Sequence, residues 1–125
     1  MFSSFFSSRS RGSWIPPIDI IDQDNKFTII MDLPEVKRED LRVFTEGGNV
    51  VCISGNRFRS KPDEDQRDLL IVAERGYGRF ERCFELPTSI DDSSIKASLK
   101  NQMLRVVVPK NANKDVSSSE SIKIE

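Results

Sequence analysis

What most restricts this chain is a rhythm: apolar side chains recur at every second residue in short runs, and each run stops at a turn former. Phe27, Ile29, Met31 and Leu33 alternate in KFTIIMDL, and Pro34 ends them. Leu41, Val43 and Thr45 alternate in LRVFTE, ended by Gly47-Gly48-Asn49, and Val51, Ile53 and Gly55 follow. Phe80, Arg82, Phe84 and Leu86 share a face before Pro87. Ile95, Ala97 and Leu99 share another, and Leu104, Val106 and Val108 the next, closed by Pro109. Residues 18–21 after Pro16-Pro17, and Leu70-Ile71-Val72 after a charged loop, are further extended runs. Successive side chains of a strand point to opposite faces, so such runs describe strands with one buried face. Their length and spacing predict an all-β fold, an immunoglobulin-like antiparallel β-sandwich of two sheets.

Helical signals are weak by comparison. PEVKREDL opens with Pro34 and carries acids, an acceptable helix start, but it lies between strands and has room for no more than a turn or two. PDEDQRDLLIVAER competes better, yet its apolar residues 69–73 are consecutive and include Ile71-Val72, so its second half reads as a strand.

The chain divides into three zones. Residues 1–15 are Ser-rich and contain Phe2, Phe5, Phe6 and Trp14, too few apolar groups for a core, and are expected to form a flexible arm. Aromatics are unusual in an idle tail, so these four are candidate contacts for exposed apolar segments of other proteins. Residues 16–109 form the sandwich. Residues 110–125 are an extension whose polar linker ends in the apolar Ile122-Lys123-Ile124. In an extended strand the two isoleucines point the same way about 7 Å apart. They make a two-pronged plug able to add along a sheet edge. The linker from Pro109 can span about 40 Å, far enough to reach a neighbouring subunit.

Composition excludes several functions. At 125 residues there is room for one domain. The net charge of -1, with basic and acidic residues interleaved as in KREDLR, offers no footprint for nucleic acid. Arg75-Gly76-Tyr77-Gly78 fits the start of an RNA-binding octamer, but Arg79 and Arg82 occupy positions where bases need aromatic rings. No stretch is apolar for 18 residues, so no membrane span is expected, and residues 1–14 lack the pattern of a secretion signal. The expected location is cytoplasmic.

There is no histidine, which removes Ser-His-Asp and Cys-His catalysis and imidazole metal sites. The acids lie mainly in loops and on solvent faces, and no phosphate loop appears. No enzyme activity and no cofactor are expected. Cys52 and Cys83 have neither zinc-type nor C-x-x-C spacing. They read as two half-buried free thiols in a reducing compartment.

Taken in order, the runs resemble a known family. Pro17-Ile18-Asp19-Ile20 with Phe27, Ile29 and Asp32-Leu33-Pro34 resembles the opening strands of the α-crystallin domain of small heat-shock proteins, with Glu35 in place of the usual glycine. Glu39-Asp40-Leu41-x-Val43, then Asn49-x-Val51-x-Ile53-x-Gly55-x-Arg57, resemble the next two. Glu74-Arg75 with Gly78-x-Phe80-x-Arg82-x-Phe84-x-Leu86-Pro87 matches best. The stretch from Ala97 and Leu99 through Asn101-Gln102-Met103-Leu104 to Val106, Val108 and Pro109 resembles the family signature, with Gln102 at its glycine. Glutamine there meets the backbone restriction that glycine avoids.

The resemblance implies an ATP-independent holdase that captures unfolding proteins, built from dimers assembled into a larger homo-oligomer. It implies a strand-swapping loop, so that Leu70, Ile71, Val72 and Glu74 would pair with Ile18 and Ile20 of a partner. Arg82 matches the arginine of the family's dimer interface. On its apolar face it needs an acid or carbonyl partner, with Asp68 or Glu74 of the swapped loop or strand, across the dimer, as candidates. Family analogy also makes the strands carrying Leu41, Val43, Ile95, Ala97 and Leu99 edge strands, and hence the socket for Ile122 and Ile124. A CS-type co-chaperone, working as a monomeric adaptor, is the alternative. It would need neither the Ile-x-Ile tail nor a swapped strand.

Overall fold

A computed structural model describes residues 7–58, 71–72, 74–111 and 121–125. Among these residues nine strands follow one another: β1 (Ser7–Gly12), β2 (Ile18–Asp22), β3 (Lys26–Asp32), β4 (Leu41–Glu46), β5 (Val50–Arg57), β6 (Gly78–Glu85), β7 (Lys96–Lys100), β8 (Met103–Pro109) and β9 (Ser121–Ile122). They form two antiparallel sheets, ordered β1-β6-β5-β4-β9 and β2-β3-β8-β7. The predicted two-sheet all-β architecture is what the chain adopts. PEVKREDL supplies only a 3-10 turn at Arg38–Asp40.

The alternating positions meet between the sheets. Phe27, Ile29, Met31, Leu104, Val106 and Val108 from one sheet pack against Val43, Val51, Ile53, Phe80 and Phe84 from the other, all nearly inaccessible to water. Each such side chain contributes about 1.5–3 kcal/mol of gross burial, enough to fix which face of every strand turns inward.

β7 and β8 are joined by two residues, Asn101 and Gln102, between the facing pair Lys100 and Met103. Both have positive φ, 52° and 63°, as a type I′ hairpin demands. Gln102 adopts the left-handed geometry without being glycine, and its polar groups are used: its backbone O accepts from Leu33 N at 2.8 Å, and its Oε1 accepts from Glu35 N at 3.1 Å. Glu35, the other residue standing where the family has glycine, is itself at φ 63°. The two departures are tied to each other.

Three expectations are corrected. Residues 7–12, expected in a flexible arm, form β1, which pairs with β6 from Ser7↔Glu85 to Gly12↔Phe80. A serine–arginine strand carries no apolar rhythm, because its ladder bonds and the positive φ of Gly12 (119°) and Gly78 (108°) set its path along β6. Trp14, expected in the same flexible arm, is held and half-buried: its Nε1 donates to Gly78 O at 3.0 Å and its ring meets Phe80 edge-on. Cys52 and Cys83, expected as free thiols, face each other across β5 and β6 and are joined as a disulfide. No helix among the described residues is long and apolar enough to cross a membrane.

Candidate functional site

The groove lies between β4 and β7, the strands at the same side of the two sheets. Leu41 and Val43 line it from one sheet and Ile95 and Ala97 from the other, all buried, with Leu99 partly so. The chain's own C-terminal segment fills it. Ile122 on β9 pairs with Val43, and Ile124 bridges to Ala97. Glu125 closes the contact on both sides: its N–H donates to Ala97 O at 2.6 Å, and its carbonyl accepts from Leu99 N at 2.9 Å. Both isoleucines pack against the core while Lys123 between them is exposed. The tail residues and socket residues named from sequence are thus brought together within one chain.

The second surface is the opposite side of the sandwich, where β2 ends the four-stranded sheet. Ile18 and Ile20 point inward and pack on the core, whereas Ile15 is 60% and Ile21 44% exposed. Ile71 and Val72, expected in a strand, belong to none within this chain and are 97% and 64% exposed. A strand needs a neighbouring ladder, and among the described residues none is offered to them. Glu74 is exposed too. Leu70, Asp68, Phe2, Phe5 and Phe6 lie outside the described residues.

Arg82 is half-buried between these surfaces. Its Nε donates to Ser10 Oγ and its Nη1 to Pro16 O, both at 3.0 Å, and the guanidinium lies 5.1 Å from the Phe84 ring centre. Desolvation lowers its pKa from the ordinary arginine value. Among the described residues no carboxylate of the same chain pairs with it.

A cluster that sequence reasoning missed anchors Arg75, Gly76 and Tyr77, just ahead of β6. Glu35 Oε1 accepts from Arg57 Nη2 at 3.0 Å and from Arg75 Nη2 at 2.9 Å. Arg57 Nη1 donates to Gly76 O at 2.7 Å, and its guanidinium stacks over Tyr77 at 4.4 Å and Trp14 at 5.5 Å. The signal available in the sequence was Glu35 itself, a carboxylate at a corner where the family pattern places glycine. No group of three or more metal-ligating side chains occurs among the described residues.

The Hsp20/alpha crystallin family model matches residues 19–125, which covers the groove, the hairpin and the tail. The chain belongs to the Hsp20/alpha crystallin family. Among curated members, a 16.9 kDa class I heat shock protein of Triticum aestivum is 45% identical over 80 residues, covering 64% of this chain and 52% of that protein. Spore protein SP21 of Stigmatella aurantiaca is 32% identical over 106 residues, covering 85% and 61%. This Hsp20 chain spans about half the length of the class I relatives it matches. Its fold superimposes on a small heat-shock protein from Xylella fastidiosa with a TM-score of 0.67 and 32% identity, covering 83% of this chain and 93% of that one.

Proposed function

We propose that this Hsp20-family chain is an ATP-independent holdase of the cytoplasm, acting as an oligomer of dimers that binds unfolding proteins and keeps them from aggregating. The observation that carries this reading is the apolar groove with a detachable plug. Among the described residues, two isoleucines and a few backbone bonds hold Ile122-Lys123-Ile124 in place. When the plug leaves, an apolar slot flanked by strand edges is offered to a neighbouring subunit's tail or to an extended apolar segment of a client. The Xylella relative has a distinct high order structure, which supports assembly beyond a single chain. Family membership favours this reading over the monomeric co-chaperone.

Light scattering from a heated client, with equimolar protein and no ATP, tests it directly: scattering is expected to fall sharply, and unchanged scattering refutes the holdase. Phe2, Phe5 and Phe6 are proposed as client contacts. Removing residues 1–6 is expected to weaken suppression several-fold while the melting temperature holds. Deleting through residue 14 is a poorer test, because it also strips β1 and Trp14 from the fold.

Dimerisation is proposed to run through β2 and the exposed Ile71-Val72 segment, with Arg82 meeting an acid of the partner. Arg82→Ala is expected to loosen the dimer by about 2–4 kcal/mol, because the partner carboxylate is left buried and unpaired. Sedimentation at micromolar concentration then shows monomer; an unaltered dimer constant removes Arg82 from the interface.

A further inference from the structure

The two cysteines take no part in the groove or the open edge. Cys52 on β5 and Cys83 on β6 are directly opposed, with Cα atoms 4.0 Å apart, joined as a disulfide. Their neighbours Val51, Ile53 and Phe84 point into the core, so both sulfur atoms sit on the opposite, solvent-side face of the five-stranded sheet. There one row crosses four strands: Arg9, Cys83, Cys52, Phe44.

Both cysteines are almost fully covered, at 0% and 1% exposure. Part of the cover is an ion pair. Arg9, on β1, reaches over β6 and β5 to Glu46 on β4 at 3.1 Å, and both side chains are half in solvent. A cavity of about 90 Å³, lined by Ser8, Arg9, Val50, Cys83 and Glu85, adjoins Cys83. Half-exposed ion pairs are weak in water. Rotation of Arg9 is therefore expected to uncover the sulfur of Cys83 without parting any strand ladder or opening the core.

A disulfide that stands apart from the core, under a removable side chain, suits reversible chemistry better than scaffolding. We propose that Cys52 and Cys83 are a reversible redox modification site, closed by hydroperoxides and reopened by thiol reductants. In closure, the Cys83 thiolate attacks the O–O bond of a hydroperoxide, forming a sulfenic acid and releasing an alcohol, or water from hydrogen peroxide. The Cys52 thiolate attacks that sulfur; the S–S bond forms, the S–O bond breaks, and hydroxide leaves to take up a proton as water. Two thiols and one hydroperoxide give one disulfide, one ROH and one water. In reopening, a thiolate forms a mixed disulfide and a second thiol releases it, so two electrons and two protons return to the cysteines.

Closure ties off a segment of sequence separation 31 that includes the exposed Ile71 and Val72. It restricts the unfolded chain and raises the melting temperature, by about 10 °C for a loop and chain of this size. The inference does not depend on holdase activity.

The test uses the full chain, reduced with dithiothreitol, freed of it and given a near-stoichiometric amount of hydrogen peroxide. Both thiols are expected to vanish together, the intact mass to fall by two hydrogen atoms, the chain to run as a single copy on a non-reducing gel, and melting to rise. Dithiothreitol reverses all four. Arg9→Ala is expected to speed that reduction, and the Cys52→Ala/Cys83→Ala double variant to melt alike with and without peroxide. Sulfinic acid at one cysteine, cross-linked chains, thiols that persist after peroxide, or a disulfide that dithiothreitol does not reopen would overturn the proposal. An Arg9→Ala reduction rate equal to the parent's overturns the gating by its side chain.

Discussion

Replacing Ile122 and Ile124 together by alanine is expected to shrink the assembly towards dimers. Each truncation removes about three carbon groups, worth about 0.8 kcal/mol apiece when fully buried. Both side chains are half-buried in the groove, so the pair loses about 2–3 kcal/mol. That is roughly a 30- to 150-fold weakening of groove binding. The same contact is made whether the tail belongs to its own chain, as in the structure, or to a neighbour, as proposed for the oligomer. Only the second case changes size. Elution volume and sedimentation coefficient decide: a shift towards dimer supports tail exchange between subunits, and an unaltered size confines the tail to its own groove. Lys123→Ala is the control, since that side chain is exposed and its loss is expected to leave the assembly intact.

Arg57→Ala is expected to be the most damaging substitution of a charged residue. Its side chain is 7% exposed and ends at a carboxylate, a carbonyl and two aromatic faces. Truncation removes two charge-assisted hydrogen bonds and leaves a void beside Trp14, at a loss of about 3 kcal/mol. For a domain of this size the melting temperature falls by about 10 °C. Arg57→Lys is expected to recover less than half of this, because an ammonium cannot reproduce a planar fork that bonds two acceptors while stacking on rings. Arg75→Ala, its exposed counterpart on Glu35, is expected to lose about 1 kcal/mol or less. A denaturation series over the three variants reads the order; equal losses would mean that the cluster's stability does not come from the buried fork.

The strands that bury one face were legible because burial writes itself into alternation: Phe27 to Leu33 and Leu104 to Val108 show this plainly. β1 was not legible, since SSRSRG joins the sheet through its backbone and turns its arginines to solvent. The disulfide was hidden for another reason. Cys52 and Cys83 become neighbours only once β5 is paired with β6 in a particular register, across an intervening segment whose length carries no pairing information. Trp14 sat in a polar context, so its hydrogen bond to Gly78 left no mark nearby. The groove residues were readable from periodicity joined to family resemblance. Whose tail fills the groove was not, because the linker's reach permits its own chain and a neighbour equally.

The C-terminal segment touches both layers of the sandwich: Ile122 is bonded to β4 in one sheet, Ile124 and Glu125 to β7 in the other. It works as a seam, stitching the two layers along one side with few bonds. Among the described residues the other contacts between neighbouring strands are longer ladders, so the seam is where local opening is expected to take the least free energy. On heating it is expected to part before the sandwich melts, laying bare the apolar slot. A seam that opens first would make the chain its own thermometer, whose reading is an exposed strand edge.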